Sequence, residues 1–177
     1  FGGWTDAALE WLYNVLTSLP YILLILAVAA VFSRGFATII LILGLTGWTG
    51  VYRLVRAEYL KHTERAYVRA AQALGASNAA RMFKHILPNV MAPYIVVASA
   101  GLSGAILVEA SLSFLGMGVP PPAPSWGRML SVEGMRFFET ASWMAIFPGI
   151  FISAAVFGAN LFGDALRDVL DPKLRGR

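Results

Sequence analysis

The groups in this 177-residue chain that could do chemistry are few, and their spacing settles much of what they cannot do. His62 and His85 lie 23 positions apart with no shared helical face, and there is no cysteine. A metal centre, a disulfide scaffold and a thiol nucleophile are therefore not expected. No serine, histidine and aspartate form a triad-like arrangement, and no pair of acids has a catalytic setting. The glycine-rich loop ending in Lys-Ser or Lys-Thr that cradles nucleotide phosphate is missing too. The sequence predicts no enzyme, no metal and no cofactor.

What remains is a surface pattern between Arg53 and Pro88. Thr63 can cap a short helix, with Glu64 in its first turn favourable to the dipole. Tyr67, Ala70, Ala71 and Leu74 then fall at i, i+3, i+4 and i+7, one apolar stripe with Arg65 and Arg69 off it. Gly75 stands where a helix commonly ends in a left-handed turn. Ser77 or Asn78 can cap a second helix with the stripe Ala79, Met82, Phe83 and Ile86, and Pro88 is expected to disrupt its continuation. The product is a helix–glycine–helix hairpin with a shallow apolar face and a basic flank. It could lie on anionic headgroups or dock into a soluble partner. Membrane-surface helices prefer bulky side chains, so Ala70 and Ala71 favour docking.

The elements that position this hairpin are apolar. Hydrophobic residues make up 58% of the chain and charged residues 14%, against about 25% charged in a soluble domain. The mean hydropathy is +0.66. This composition argues against disorder and nucleic-acid binding and for a membrane protein. Four stretches free of formal charge can cross a hydrocarbon core of ~30 Å: residues 11–33, 35–52, 85–108 and 140–163. A fifth gap, residues 110–127, contains Pro120-Pro121-Pro122-Ala123-Pro124 and must be a loop. The fold class is all-α, a polytopic membrane protein. Gly44, Gly47 and Gly50, with the pairs Ala100/Gly104, Gly101/Ala105 and Ala154/Gly158, are expected to bring helix backbones together in lipid.

Basic residues give the orientation. Seven lie in residues 53–84 and four after Gly163, against Arg34, Arg128 and Arg136 in the other connections. The positive-inside rule then puts the hairpin and the tail in the cytoplasm. Parity places residues 1–10 there as well, although they carry no basic residue. The chain opens Phe1-Gly2-Gly3-Trp4 with no initiator methionine and no signal-peptide pattern. It reads as a piece of a longer polypeptide with at least one upstream span.

On the opposite side, Glu109 ends the third uncharged run. An acid at membrane depth is a functional candidate. It could contact the amine of a solute or shape an outer gate, or it could be a capped carboxylate that orders the next loop. The Pro-rich loop ending Ser125-Trp126-Gly127 is stiff, polyproline-like chain, either a docking surface or a plug over the helix ends. Trp126 and Trp143 are also candidate interfacial anchors.

Tyr67-Val-Arg-Ala70-Ala71-Gln-Ala-Leu74-Gly75, with Leu87-Pro88 beginning twelve residues after the glycine, resembles the EAA loop of ABC importer permeases. Arg69 stands where that pattern has Glu, and His85 where it has Ile; the spacing is otherwise intact. Two further blocks resemble the branch that serves dipeptides, oligopeptides and nickel. One runs from Glu109 through Gly116 and Gly118 to Trp126-Gly127. The other is Gly163-Asp164-Ala-Leu-Arg167-Asp168-Val-Leu-Asp171-Pro172. The resemblance covers nearly the whole chain.

It implies a MetI-like transmembrane permease domain over residues 1–165, lacking its N-terminal part, with a cytoplasmic tail at 166–177. Such a subunit spans the bacterial inner (plasma) membrane several times and forms half of a translocation pathway for peptides. The implied partners are a second permease subunit in a heterodimer, two cytoplasmic ATPase subunits, an extracytoplasmic solute-binding protein and the lipid bilayer. Nucleic acid is not among them. Tyr67, Arg69, Ala70, Ala71, Leu74, Gly75, Leu87 and Pro88 become the ATPase-coupling loop, and Glu109 and Trp126 the outer gate or loop candidates. Nickel or another small solute is the alternative cargo. An ion-coupled carrier would need ionisable groups at mid-bilayer and an inverted repeat, whereas every acid here lies near a span end. A third reading is a membrane-anchored scaffold whose hairpin recruits a soluble enzyme.

Overall fold

The computed structural model describes residues 3–170. Phe1, Gly2 and the tail residues Asp171, Pro172, Lys173, Arg175 and Arg177, which entered the reading above, lie outside the described residues. The elements are α1 (Trp4–Thr17), α2 (Tyr21–Val31), α3 (Phe36–Thr63), α4 (Ala66–Ala73), α5 (Asn78–Phe114), α6 (Trp126–Met129), α7 (Val132–Met135) and α8 (Trp143–Leu170). No strand occurs among the described residues. The all-α reading holds.

Helices α3, α5 and α8 are each long and apolar enough to cross a membrane. The expected span at residues 11–33 is not one straight rod. Here α1 and α2 meet at 92° across Ser18, Leu19 and Pro20. Pro20 is the physical reason: it brings no amide to the ladder, and its ring would clash with the carbonyl of Leu16. The chain restarts as a helix with Pro20 in the N-cap position. Counting the bent pair as one span gives the four expected.

Two local expectations are corrected. Thr63 does not cap the hairpin helix, because α3 continues through it and its hydroxyl donates back to the carbonyl of Tyr59 at 2.8 Å. Glu64 closes α3, and Arg65 takes the N-cap position of α4. Nor does Pro88 interrupt the next helix. Residues Arg81–Ile86 form a π turn, and Leu87–Phe114 follows as α-helix with Pro88 in its first two positions. The wider turn shifts the carbonyls that the proline ring would otherwise strike.

Two small cores hold the helices. Ile25 and Ala29 of α2 meet Ile39 and Ile42 of α3 and Leu112 of α5 at one end. Val68 of α4 meets Ile86 and Val90 of α5, with Val55 and Tyr59 of α3 against them, at the other. Along the middle, α5 and α8 run antiparallel in close contact. Ser103 donates its hydroxyl to Oδ1 of Asn160 at 2.7 Å. A Cβ added to Gly163 would lie 3.0 Å from Oγ of Ser99. These residues, with the backbone of Ala100 3.7 Å from the same added Cβ, join the two helices. Gly44, Gly47, Gly50, Gly101, Gly104 and Gly158 have nothing within 4 Å of an added Cβ, since each is exposed on a face turned away from the neighbouring helix.

Candidate functional site

The hairpin is built around one anchor. In the eight residues of α4 only Val68 is fully buried, and its seat between Val55, Tyr59, Ile86 and Val90 fixes the roll of the helix. The stripe read from the sequence is rotated out of that seat. Tyr67, Ala70 and Leu74 are exposed and Ala71 is half-buried; Leu74 exposes 89% of its surface. Arg69 is exposed beside them. A helix this short has room for one buried line, so the Tyr67–Leu74 line is left uncovered.

The tip has the expected left-handed turn. Gly75 has φ +83°. Its amide donates to the carbonyl of Gln72 at 3.0 Å, and that of Ala76 to Ala71 at 3.0 Å. Both bonds belong to the glycine-terminated helix motif that satisfies the last carbonyls. An added Cβ would meet nothing within 4 Å. Backbone conformation, not space, calls for glycine there. Ser77 caps the following helix by accepting from the Ala80 amide at 3.2 Å. Arg81 then bridges the hairpin, donating to Oε1 of Gln72 at 2.7 Å and to Oδ1 of Asn78. Leu87 and Pro88 are exposed at the start of the α-helical part of α5.

Two ties at this end were not legible. Nδ1 of His62 lies 2.8 Å from the hydroxyl of Tyr67, joining the last turn of α3 to the first turn of α4. Arg56 donates through Nε to Oδ1 of Asp6 at 3.1 Å and through Nη2 to Oδ2 at 3.0 Å, with Oε2 of Glu10 at 3.3 Å. This pairing fastens α1 to α3 across about 50 positions of chain. The i, i+4 spacing of Asp6 and Glu10 was the only available signal, and it names no partner.

At the opposite end Glu109 sits a turn and a half before α5 stops at Phe114. Its Oε1 accepts from Ser113 at 2.6 Å and from Ser125 at 2.9 Å. That is the geometry of a carboxylate ordering the loop. Gly116, with φ +76°, terminates α5 as Gly75 terminates α4. The proline loop then folds back on the helix. A Cβ on Gly118 would overlap Ser113, and one on Gly127 would overlap the backbone of Ala110. Trp126 stacks on Phe151 of α8, ring centroids 5.7 Å apart and planes 12° from parallel. Trp143 is exposed at the start of α8. Glu109 and Trp126 thus share one loop attachment, far from the hairpin.

The sequence of this chain fits, over residues 1–176, the family described as binding-protein-dependent transport system inner membrane component. It is 41% identical over 174 residues to the oligopeptide transport system permease protein OppC of Bacillus subtilis, covering 98% of this chain and 57% of that protein. It is 38% identical over 175 residues to the dipeptide transport system permease protein DppC of Alkalihalophilus pseudofirmus, covering 99% and 57%. With DppC of Escherichia coli K12 the identity is 44% over 162 residues, covering 92% and 54%. The chain spans about half the length of the curated relatives it matches. With its long apolar helices, the chain is part of a multi-pass membrane protein. It belongs to the family of binding-protein-dependent transport system inner membrane components.

Proposed function

We propose that this chain is the greater part of a permease subunit of an ATP-driven importer, with peptides as its cargo. Residues 1–165 carry the translocation pathway, and 166–177 form a cytoplasmic tail. The observation that carries the reading is the hairpin tip. Tyr67, Arg69, Ala70 and Leu74 are held outward by a buried Val68 and are exposed among the described residues. Such a tip suits the groove of a soluble partner. That the relatives are oligopeptide and dipeptide permeases supports peptides as cargo.

In physical terms, the tip seats in a cleft of an ATPase subunit, which supplies the energy that this chain does not generate. Closure of two such subunits on ATP moves the tip, and α5, continuous with the hairpin, carries the motion into the membrane as a rigid-body transition. A second permease subunit completes the pathway, and a solute-binding protein delivers cargo on the side of the proline loop. Glu109 and Trp126 hold that loop in place.

The test is Gly75→Trp in the complete transporter. A side chain at φ +83° strains the turn by about 1–2 kcal/mol, and an indole there blocks the groove. ATPase co-purification and ATP-dependent dipeptide uptake into vesicles should both fall. Normal assembly with normal uptake would overturn the docking reading, and uptake of nickel but not dipeptide would change the cargo.

A further inference from the structure

We propose that the open cavity between α1, α3 and the hairpin is a binding site for one anionic phospholipid, one acyl chain lying along its walls. It goes beyond the importer reading and does not depend on it, because the cavity lies on the Val68 side of α4, away from the exposed Tyr67–Leu74 line.

The cavity measures about 720 Å³ and is walled by apolar side chains, among them Leu9, Val51, Val55, Leu60 and Met82. That volume falls within the ~300–1,000 Å³ typical of ligand pockets. Its depth is that of a bilayer interface. Trp48 and Tyr52, two of its lining residues, stand at the end of the uncharged run of α3, directly before the first charge at Arg53. Aromatic residues concentrate at that level of a membrane.

The polar part of the lining asks for an acceptor-rich anion. Arg56 is already engaged by Asp6 and Glu10. Arg81 is not matched in charge: among the described residues it donates to the neutral amides of Gln72 and Asn78, and its Nε is buried without a hydrogen-bond partner. The hydroxyl of Tyr52 is likewise buried and unpartnered. A phosphate offers several oxygens to a guanidinium fork, and glycerol ester carbonyls offer acceptors for a phenol. An acyl chain satisfies the apolar walls. A soluble anion would leave those walls wet.

The experiment uses the full-length protein, with whatever subunits co-purify, held in nanodiscs of phosphatidylcholine and phosphatidylglycerol, then released for native mass spectrometry. The site predicts one retained phosphatidylglycerol per permease copy. Arg81→Gln should lower that retention about fivefold, the value of one basic side chain at an anionic surface, while Lys84→Gln, an exposed cation outside the cavity, leaves it unchanged. Because Arg81 also braces the hairpin, a photo-crosslinking side chain at half-exposed Leu60 gives a second readout. A lipid-mass adduct supports the site. No preference for phosphatidylglycerol, equal losses in the two variants, or a crosslink from position 60 to a polypeptide would each overturn it.

Discussion

Ser125 donates its hydroxyl to Oε1 of Glu109 at 2.9 Å, and Ser113 donates to the same oxygen at 2.6 Å. One carboxylate oxygen therefore pins the residue before α6 to α5, across 16 positions of proline-rich chain. Glu109→Gln keeps a carbonyl acceptor, whereas Glu109→Leu leaves two part-buried hydroxyls without one, at a cost of about 1–3 kcal/mol. Amide hydrogen exchange across residues 117–125 should rise in the Leu variant and stay near wild type in the Gln variant. Equal exchange in the two would remove the carboxylate from this role.

The same loop depends on a close backbone approach. A methyl group on Gly127 overlaps the backbone of Ala110, which cannot swing aside as a side chain could. Gly158, in the middle of α8, has open space around it. We expect Gly127→Ala to destabilise the protein by about 1–3 kcal/mol through overpacking. Gly158→Ala should be neutral or slightly stabilising, since alanine is the better helix former. Thermal melting of the reconstituted protein distinguishes the two; matching melting temperatures would contradict the packing described here.

Arg56 ties α1 to α3 through its two-pronged contact with Asp6, beside the ring contact of Tyr13 with Tyr52 at 5.3 Å. Spin labels at Ala8 and Ala57, both exposed, should report a narrow distance distribution in the native protein. Asp6→Asn combined with Glu10→Gln should broaden it. High salt should broaden the native distribution partway, because half-exposed ion pairs are screened. A distribution indifferent to both changes would mean that packing alone holds α1.

Between α5 and α8, the Ser103 hydroxyl lies 2.7 Å from Oδ1 of Asn160 and 3.3 Å from the carbonyl of Val156, the shorter contact being the one between side chains. A double-mutant cycle with Ser103→Ala and Asn160→Leu should give a coupling energy near 0.6 kcal/mol and no more than about 1.7 kcal/mol. A coupling near zero would assign the pairing of these helices to shape complementarity at Ser99 and Gly163.

The legible parts of the fold were those governed by neighbours in sequence. Uncharged length marked α3, α5 and α8, and Gly75 and Ser77 announced the turn and the cap that follows it. The unread parts came from partners distant in the chain or from compensation nearby. Pro20 and Pro88 look alike in sequence, yet one bends the chain by 92° and the other is absorbed by a π turn. The outcome depends on whether adjacent carbonyls can be moved. The hairpin stripe was found correctly as a stripe but could not be assigned to core or exterior. That depended on Val68 meeting Val55 and Tyr59 from another helix. Glu109 could be singled out by its type and position, whereas its bond to Ser125 required the loop to fold back.

From Asn78 to Phe114 the chain is continuously helical, through the π turn at Arg81–Ile86 and past Pro93. At 1.5 Å per residue it makes a strut of roughly 55 Å, longer than the oily layer is thick. Pivoted about its midpoint by about 10°, such a strut swings its two tips by about 5 Å in opposite senses, close to the pitch of one helical turn. On the importer reading proposed above, a push on the hairpin at one water boundary would reach the serine-laced carboxylate near the other along this single element.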